Sequence, residues 1–316
     1  MSVLAETLLG DGRTLSIVEP TADDAPALCD LIREAFGSRP VVQPPPPALS
    51  ETPERVAEAL AGGFGVLALV DGEPAGVVIV SVDGPMAGIH RVSVRPSFQR
   101  QGIASAMVEV AIEVLTARGV AAVELVAREE FPQVVAWWRR HGFVEVDRIG
   151  TSLTLARQLP VRRAAPTAED TQAIGRRLAG VVRAGDVIIA SGDLGAGKTT
   201  LTQGLGEGLG VSGAIISPTF VLSRVHPSTT GGPRLVHVDA YRLGSFAELE
   251  DLDLEVSLDD SVTLVEWGAG IAEGLGDGYL EVDIRRTLDP EDETRWIFFT
   301  PIGERWTAAR AELEAL

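Results

Sequence analysis

The chain has almost no lysine. Of its 27 basic residues in 316, Lys198 is the single lysine and all others are arginine. Cysteine is equally scarce: Cys29 stands alone, so no disulfide can form within the chain. It lies in the helical pattern "PALCDLIREAF" with no basic cluster beside it, and reads as a small buried hydrophobe rather than a reactive thiol. No apolar run approaches the roughly 18 residues that a membrane-spanning helix needs. The start, "MSVLAETLLGDGR", lacks the basic end and apolar centre of a secretion signal. A cytoplasmic protein with no membrane contact is the expectation. The histidines His90, His141, His226 and His237 have no partners at metal-ligand spacing, which argues against a structural zinc site. Positive charge is in deficit overall: 45 acidic residues leave a formal net charge of −18. Such a surface repels a phosphate backbone, so nucleic acid is expected to meet this chain only through a partner.

What is present suffices for two ordinary domains. Residues 156–170, "ARQLPVRRAAPTAED", are mixed, proline-containing and aperiodic, and read as a linker. They divide the chain into domains of residues 1–160 and 161–316. "PPPP" at Pro44–Pro47 reads as an extended loop between two helices. On both sides of the linker, short apolar strands alternate with helical patterns, so the expected fold class is α/β in both domains.

The lone lysine belongs to "SGDLGAGKTT". Gly192, Gly197, Lys198 and Thr199 fit the pattern G-x-x-x-x-G-K-[ST], between an apolar strand and a helix, the context of a phosphate-binding loop. Glycines let main-chain N–H groups turn towards phosphate oxygens, the helix start favours the negative charge, and the Thr199 hydroxyl suits Mg²⁺. An ammonium on a flexible stem reaches between β- and γ-phosphates, where a wide planar guanidinium would be misplaced. Solvated charge elsewhere can be arginine. Two acids end apolar strands downstream, Asp239 in "LVHVDAYRL" and Glu266 in "VTLVEWG", where such a loop needs groups for the metal and the attacking water. Ser245 and Glu248 in "SFAELEDL" have capping-box spacing and read as a helix start.

In order, "GDLGAGKTT", "SPTF" (Ser217–Phe220), "HVDAYRL", "ELEDLDLE" and "VEW" resemble the TsaE family, the ATPase subunit of the tRNA threonylcarbamoyladenosine machinery. The resemblance spans about residues 165–300. It implies a P-loop NTPase fold, weak ATPase activity, and work beside two partners, TsaD and TsaB homologues, that modify the adenosine next to the anticodon. Carried over by motif, Leu194, Gly195, Ala196, Gly197, Lys198, Thr199 and Thr200 hold ATP. Thr199 and Glu266 sit at Mg²⁺, and Asp239 lies beside the γ-phosphate to orient water. Lys198, Asp239 and Glu266 are thus the catalytic set. "SPTF" and "HVDAYRL" resemble switch segments, and Arg295 matches a position that reaches the nucleotide.

The first half contains "VSVRPSFQRQGIASAMVEVAIEVL", a strand followed by [RQ]-x-x-G-x-[GA] and a helix. This again suits a pyrophosphate at a helix start. With "VELVA" and "AWWRRHGF" downstream it resembles the GNAT acetyltransferases over roughly residues 14–150. The resemblance implies a mixed-sheet acetyltransferase fold in which Val92, Ser93, Val94 and Arg100, Gln101, Gly102, Ile103, Ala104 and Ser105 hold acetyl-CoA. Where many members place a tyrosine, this chain has Trp138, which has no acidic proton. Where one branch places a glutamate base, it has Val126. Glu124, Glu129, Glu130 and His90 are the substitutes near in sequence. Three readings follow: an acetyltransferase fused to the ATPase, the same ATPase beside a non-catalytic CoA-binding or docking domain, and a small-molecule kinase. A kinase usually needs an arginine-bearing lid, and none is evident after Lys198.

Overall fold

A computed structural model describes residues 2–287, 289 and 291–316 in two compact units, Met1–Leu159 and Pro160–Leu316. Each is a sheet with helices, and each has its own core.

The first unit is an eight-stranded sheet in the order β1-β2-β3-β4-β5-β6-β8-β7. Its strands are β1 (Ser2–Leu8), β2 (Thr14–Glu19), β3 (Gly63–Val70), β4 (Glu73–Asp83), β5 (Met86–Val94), β6 (Ala122–Arg128), β7 (Val144–Ile149) and β8 (Ser152–Gln158). Helices α1 (Ala25–Gly37) and α2 (Pro53–Ala61) bury Leu28, Ile32 and Val56 against Val77 and Ile79 on one face. Helices α3 (Ile103–Ala117) and α4 (Pro132–Arg140) pack Met107, Leu115 and Trp138 on the other, against Val78 and Val80. The period-2 alternation of β4 sends neighbouring valines to opposite cores. Proline at N1 and the Thr52 hydroxyl, which accepts from Arg55 N at 3.4 Å, start α2.

One irregularity shapes this sheet. Val77 faces Ser93 and Ile79 faces His90, so β5 carries one extra residue at Arg91–Val92. Arg91 has φ 52° there. A bulge of this kind bends a strand away from its neighbour. Already before the bulge, after Gly88, β5 leaves β6: the parallel pairing covers only Met86–Gly88 against Ala122–Glu124, while β6 continues along β8 to Arg128. The result is a wedge-shaped gap between two strands of one sheet.

The second unit has seven strands in the order β11-β12-β13-β10-β14-β15-β9. They are β9 (Val161–Ala165), β10 (Val187–Ser191), β11 (Ser223–His226), β12 (Arg234–Asp239), β13 (Ser261–Glu266), β14 (Tyr279–Arg286) and β15 (Arg295–Ile302). The central four, β12, β13, β10 and β14, are parallel; the first three are buried at nearly every residue, as strands covered on both faces are, while β14 alternates. Helices α5 (Ala168–Leu178) and α6 (Lys198–Leu209) lie so close that a Cβ on Gly204 would stand 2.0 Å from Gln172 O. Short helices α7 (Phe246–Glu250), α8 (Glu255–Leu258), α9 (Glu304–Ala308) and α10 (Arg310–Glu314) complete the unit.

One feature departs from the sequence reading. Residues 156–170 are not an unstructured linker. They hold the end of β8, the edge strand β9 paired with β15, and the capped start of α5. Val161 and Ala165 point inward, and the Arg162 guanidinium lies 3.4 Å from the Trp296 ring centre, so two arginines in sequence hid a strand with one buried face. Strand β1 carries no burial alternation, being exposed along most of its length at the sheet edge.

Candidate functional site

In the second unit β10 ends at Ser191, and after a six-residue loop α6 begins at Lys198. Gly192, Gly195 and Gly197 have φ of 131°, 73° and 117°. At Gly192 a Cβ would also stand 2.3 Å from Ile284 O, so no other residue fits that turn. The first helical bond of α6 runs from Leu201 N to Gly197 O, which leaves the amides of Lys198, Thr199 and Thr200 without helical acceptors. Loop and helix start thus offer a row of N–H donors and the positive end of a helix dipole.

Lys198 folds back over this loop. Its Nζ donates to Gly192 O at 2.6 Å and Asp193 O at 3.0 Å and lies 3.8 Å from the centre of the Trp267 ring. Trp267 takes φ 62°, a left-handed conformation that follows directly on β13. Burial pushes the lysine's pKa below its ordinary value, with Glu266, Asp239 and Asp193 opposing.

The two strand-end acids come together because β12 and β13 are parallel and in register, Asp239 facing Glu266. Both are 3% exposed. Glu266 Oε1 accepts from Thr199 Oγ1 at 2.9 Å and lies 2.9 Å from His237 Nε2. Asp239 Oδ2 accepts from Ser217 Oγ at 2.6 Å and Thr219 Oγ1 at 2.8 Å, and Oδ1 accepts from Tyr241 N at 3.0 Å. Burial alone would raise the Asp239 pKa, but these hydrogen bonds prevail and hold it below the ordinary carboxylate value. The "SPTF" segment is therefore tied to the strand-end acid through two hydroxyls.

Leu194, at the loop tip, is 86% exposed. Arg295 lies on β15 opposite Arg286 of β14, and its guanidinium donates to Glu293 O. The arginine that touches the loop is Arg286, whose Nη2 donates to Gly195 O at 2.7 Å and Leu194 O at 3.3 Å. The sequence reading did not name Arg286, and it took up His237 only as a histidine without partners at metal-ligand spacing. The only signal for Arg286 was a basic residue ending an apolar strand.

In the first unit the loop before α3 holds Arg100 at φ 61° and Gly102 at φ 81°. The first helical bond, Ala106 N to Gly102 O, leaves the amides of Ile103, Ala104 and Ser105 ahead of it. Ser105 Oγ lies 3.0 Å from His141 Nε2, while His141 Nδ1 lies 2.8 Å from Trp137 O. A carbonyl only accepts, so Nδ1 carries the proton and Ser105 donates to Nε2. Val92 lies in the bulge of β5, and Ser93 and Val94 follow it, paired with Val77 and Gly76 of β4.

The candidate bases differ in their surroundings. Glu130 is held at a pKa of about 2, chiefly by its hydrogen bond from Arg128. Glu129 pairs with Arg148 at 3.0 Å. Glu124 is exposed on β6 opposite Gly88, where the wedge begins. His90 borders a cavity of about 380 Å³ with Glu51, Arg55, Ile79 and Arg91. Its Nε2 lies 2.9 Å from Ser81 Oγ. Burial and then Arg91 lower its pKa, with Glu124 opposing, which keeps the ring neutral near pH 7. Trp138 is buried against Phe143, with ring centres 4.9 Å apart, and serves the core.

A glycine loop feeding a helix at the carboxyl end of a parallel sheet, with a lysine, a hydroxyl and two strand-end acids converging on it, defines the second unit as a P-loop NTPase fold. The family model for threonylcarbamoyl adenosine biosynthesis protein TsaE matches residues 165–295, and that of the GNAT acetyltransferase family matches residues 26–143. The TsaE protein of Streptomyces coelicolor is 61% identical over 138 residues, which cover 43% of this chain and 93% of the relative. That of Bacillus subtilis is 41% identical over 146 residues, 46% of this chain and 88% of the relative. Solved structures include Bacillus YdiB, 32% identical over 49% of this chain and 95% of its own, at TM-score 0.41. They also include an N-acetyltransferase from Thermoplasma acidophilum in complex with coenzyme A, 13% identical over 46% and 98%, at TM-score 0.42. The chain belongs to the TsaE family and carries a GNAT acetyltransferase domain ahead of its TsaE domain.

Proposed function

We propose that this chain is bifunctional: a slow ATPase that supports threonylcarbamoyl transfer to tRNA, and an acetyl-CoA-dependent N-acetyltransferase. The observation that carries the first activity is the convergence of Lys198, Thr199, Glu266 and Asp239 at the mouth of the glycine loop. The loop amides and Lys198 hold the β- and γ-phosphates. Thr199 and Glu266 fit Mg²⁺, since a hydroxyl and a carboxylate already in contact are hard oxygen donors and leave the remaining positions to phosphates and water. When bound, Mg²⁺ neutralises charge between the phosphates. Asp239 keeps its ionised form and orients the attacking water. Release of "SPTF" from Asp239 couples the state of the nucleotide to an exposed segment that carries Phe220, 86% exposed. Homologues of TsaD and TsaB are the partners that segment would meet, and tRNA is reached only through them. The net charge of −18 supports that indirect route.

In the first unit the wedge between β5 and β6 receives acetyl-CoA, with its pyrophosphate at the start of α3. His90 takes the proton as an amine attacks the acetyl carbonyl, and the CoA sulfur leaves. One observation favours a second reading, a CoA-binding domain without catalysis: Trp138 fills the core where relatives place a proton donor.

The test of the tRNA role is replacement of a host's own TsaE gene by this one, with mass spectrometry of the tRNA. Restored threonylcarbamoyladenosine supports the reading. Unmodified adenosine despite soluble protein overturns it.

A further inference from the structure

His237 is fully buried on β12, at 0% exposure, two residues before Asp239. Its Nε2 lies 2.9 Å from Glu266 Oε1, the same oxygen that accepts from Thr199 Oγ1. A carboxylate only accepts, so Nε2 carries the proton. Nδ1 is buried and has no hydrogen-bond partner among the described residues. A proton there would be an orphaned buried donor, so the hydrogen sits on Nε2. Strand β12 is otherwise filled by Leu235, Val236 and Val238, all at 0% exposure. An aliphatic side chain at 237 would avoid the cost of an unpaired ring nitrogen. The imidazole is kept for the one bond it makes.

We propose that His237 is a positioning residue for Glu266. Its N–H fixes the carboxylate rotamer so that Oε1 meets the Thr199 hydroxyl, while no hydrogen bond engages Oε2 among the described residues. The β12/β13 register sets this geometry: Asp239 faces Glu266 directly, and His237 stands one inward-facing position back along the same strand. Removing the N–H lets the carboxylate turn and separates the two groups that would face the divalent cation. The inference rests on the nucleotide–Mg²⁺ reading of this site and adds a residue to it. Its signature is selective: nucleotide binding without metal is spared, and the gain from Mg²⁺ is lost.

The test uses the full chain and calorimetry of ADP binding with and without MgCl₂, on wild type, His237→Met and His237→Gln. Metal-free affinity is expected to agree within about twofold among the three. In His237→Met the Mg²⁺ concentration needed for full-strength binding rises about 10- to 100-fold, the usual effect of losing a hydrogen bond behind a metal ligand. His237→Gln, which keeps an N–H donor at similar reach, recovers most of it. A folded His237→Met with wild-type Mg²⁺ dependence overturns the proposal. Should that variant not fold, nitrogen NMR of the imidazole in the wild-type chain decides. A ring carrying hydrogen at Nε2 and not Nδ1, shifting with Mg²⁺·ADP but not with ADP alone, supports it. A ring protonated at Nδ1 overturns it. Wild type that binds no ADP would instead overturn the nucleotide reading itself, a separate outcome.

Discussion

Replacing Lys198 by methionine separates binding from folding. The two side chains are similar in length and unbranched, and a volume-conserving exchange at a buried site costs under about 1.5 kcal/mol. The residue is 5% exposed, and its head group is held by Gly192 O and Asp193 O above the Trp267 ring, so methionine keeps the packing and loses the charge. In the nucleotide complex the lost interaction is a hydrogen bond from a cation to phosphate oxygen, about 1.5–3 kcal/mol. That is roughly 10- to 150-fold in affinity. Calorimetric titration with ADP and ATP is the assay, with circular dichroism to establish that the variant is folded. A folded Lys198→Met chain binding both nucleotides within about twofold of wild type would refute the reasoning. Linkage gives a second readout. The lysine's folded pKa lies below the ordinary 10.5, so in the window between them the unfolded chain binds more protons. Stability of the free protein therefore rises with pH through that window, and Lys198→Met lacks the rise.

Other positions carry their own expectations. Gly192→Ala meets both a left-handed φ of 131° and a carbonyl 2.3 Å from the new Cβ. Urea unfolding should show a loss of at least about 2 kcal/mol, and a loss under about 0.5 would contradict the geometry. Arg286→Ala removes two hydrogen bonds to the loop, so ADP should bind about fivefold more weakly with little change in the melting temperature. Acetyl transfer to an amine panel should fall as pH drops below 6.5, through the lowered pKa of His90, because only the neutral ring accepts a proton. His90→Gln should abolish that acid limb along with most of the rate, and an unchanged profile would remove His90 from the mechanism.

The phosphate-binding loop was legible because its chemistry is local: every group needed lies within nine residues of one another, between a strand and a helix. The strand-end acids were legible as strand ends, but their meeting depends on the register of β12 with β13, which no local pattern encodes. Arg286 was missed for the same reason, since its contact with Gly195 spans 91 residues. His237 was hidden inside an apolar strand, where a single polar residue reads as part of the alternation. Strand β5 of the first unit has a bulge at Arg91, and a bulge leaves no mark when the surrounding residues are β-formers. The edge strand β9 was lost because two adjacent arginines, Arg162 and Arg163, looked like linker composition.

ATP hydrolysis by the purified chain, alone and with its host's TsaD and TsaB homologues, tests the central claim most directly. Slow turnover that rises when the partners are added, and that disappears in Lys198→Met, is the predicted result. Turnover or stimulation that survives the loss of the only ammonium side chain would contradict it.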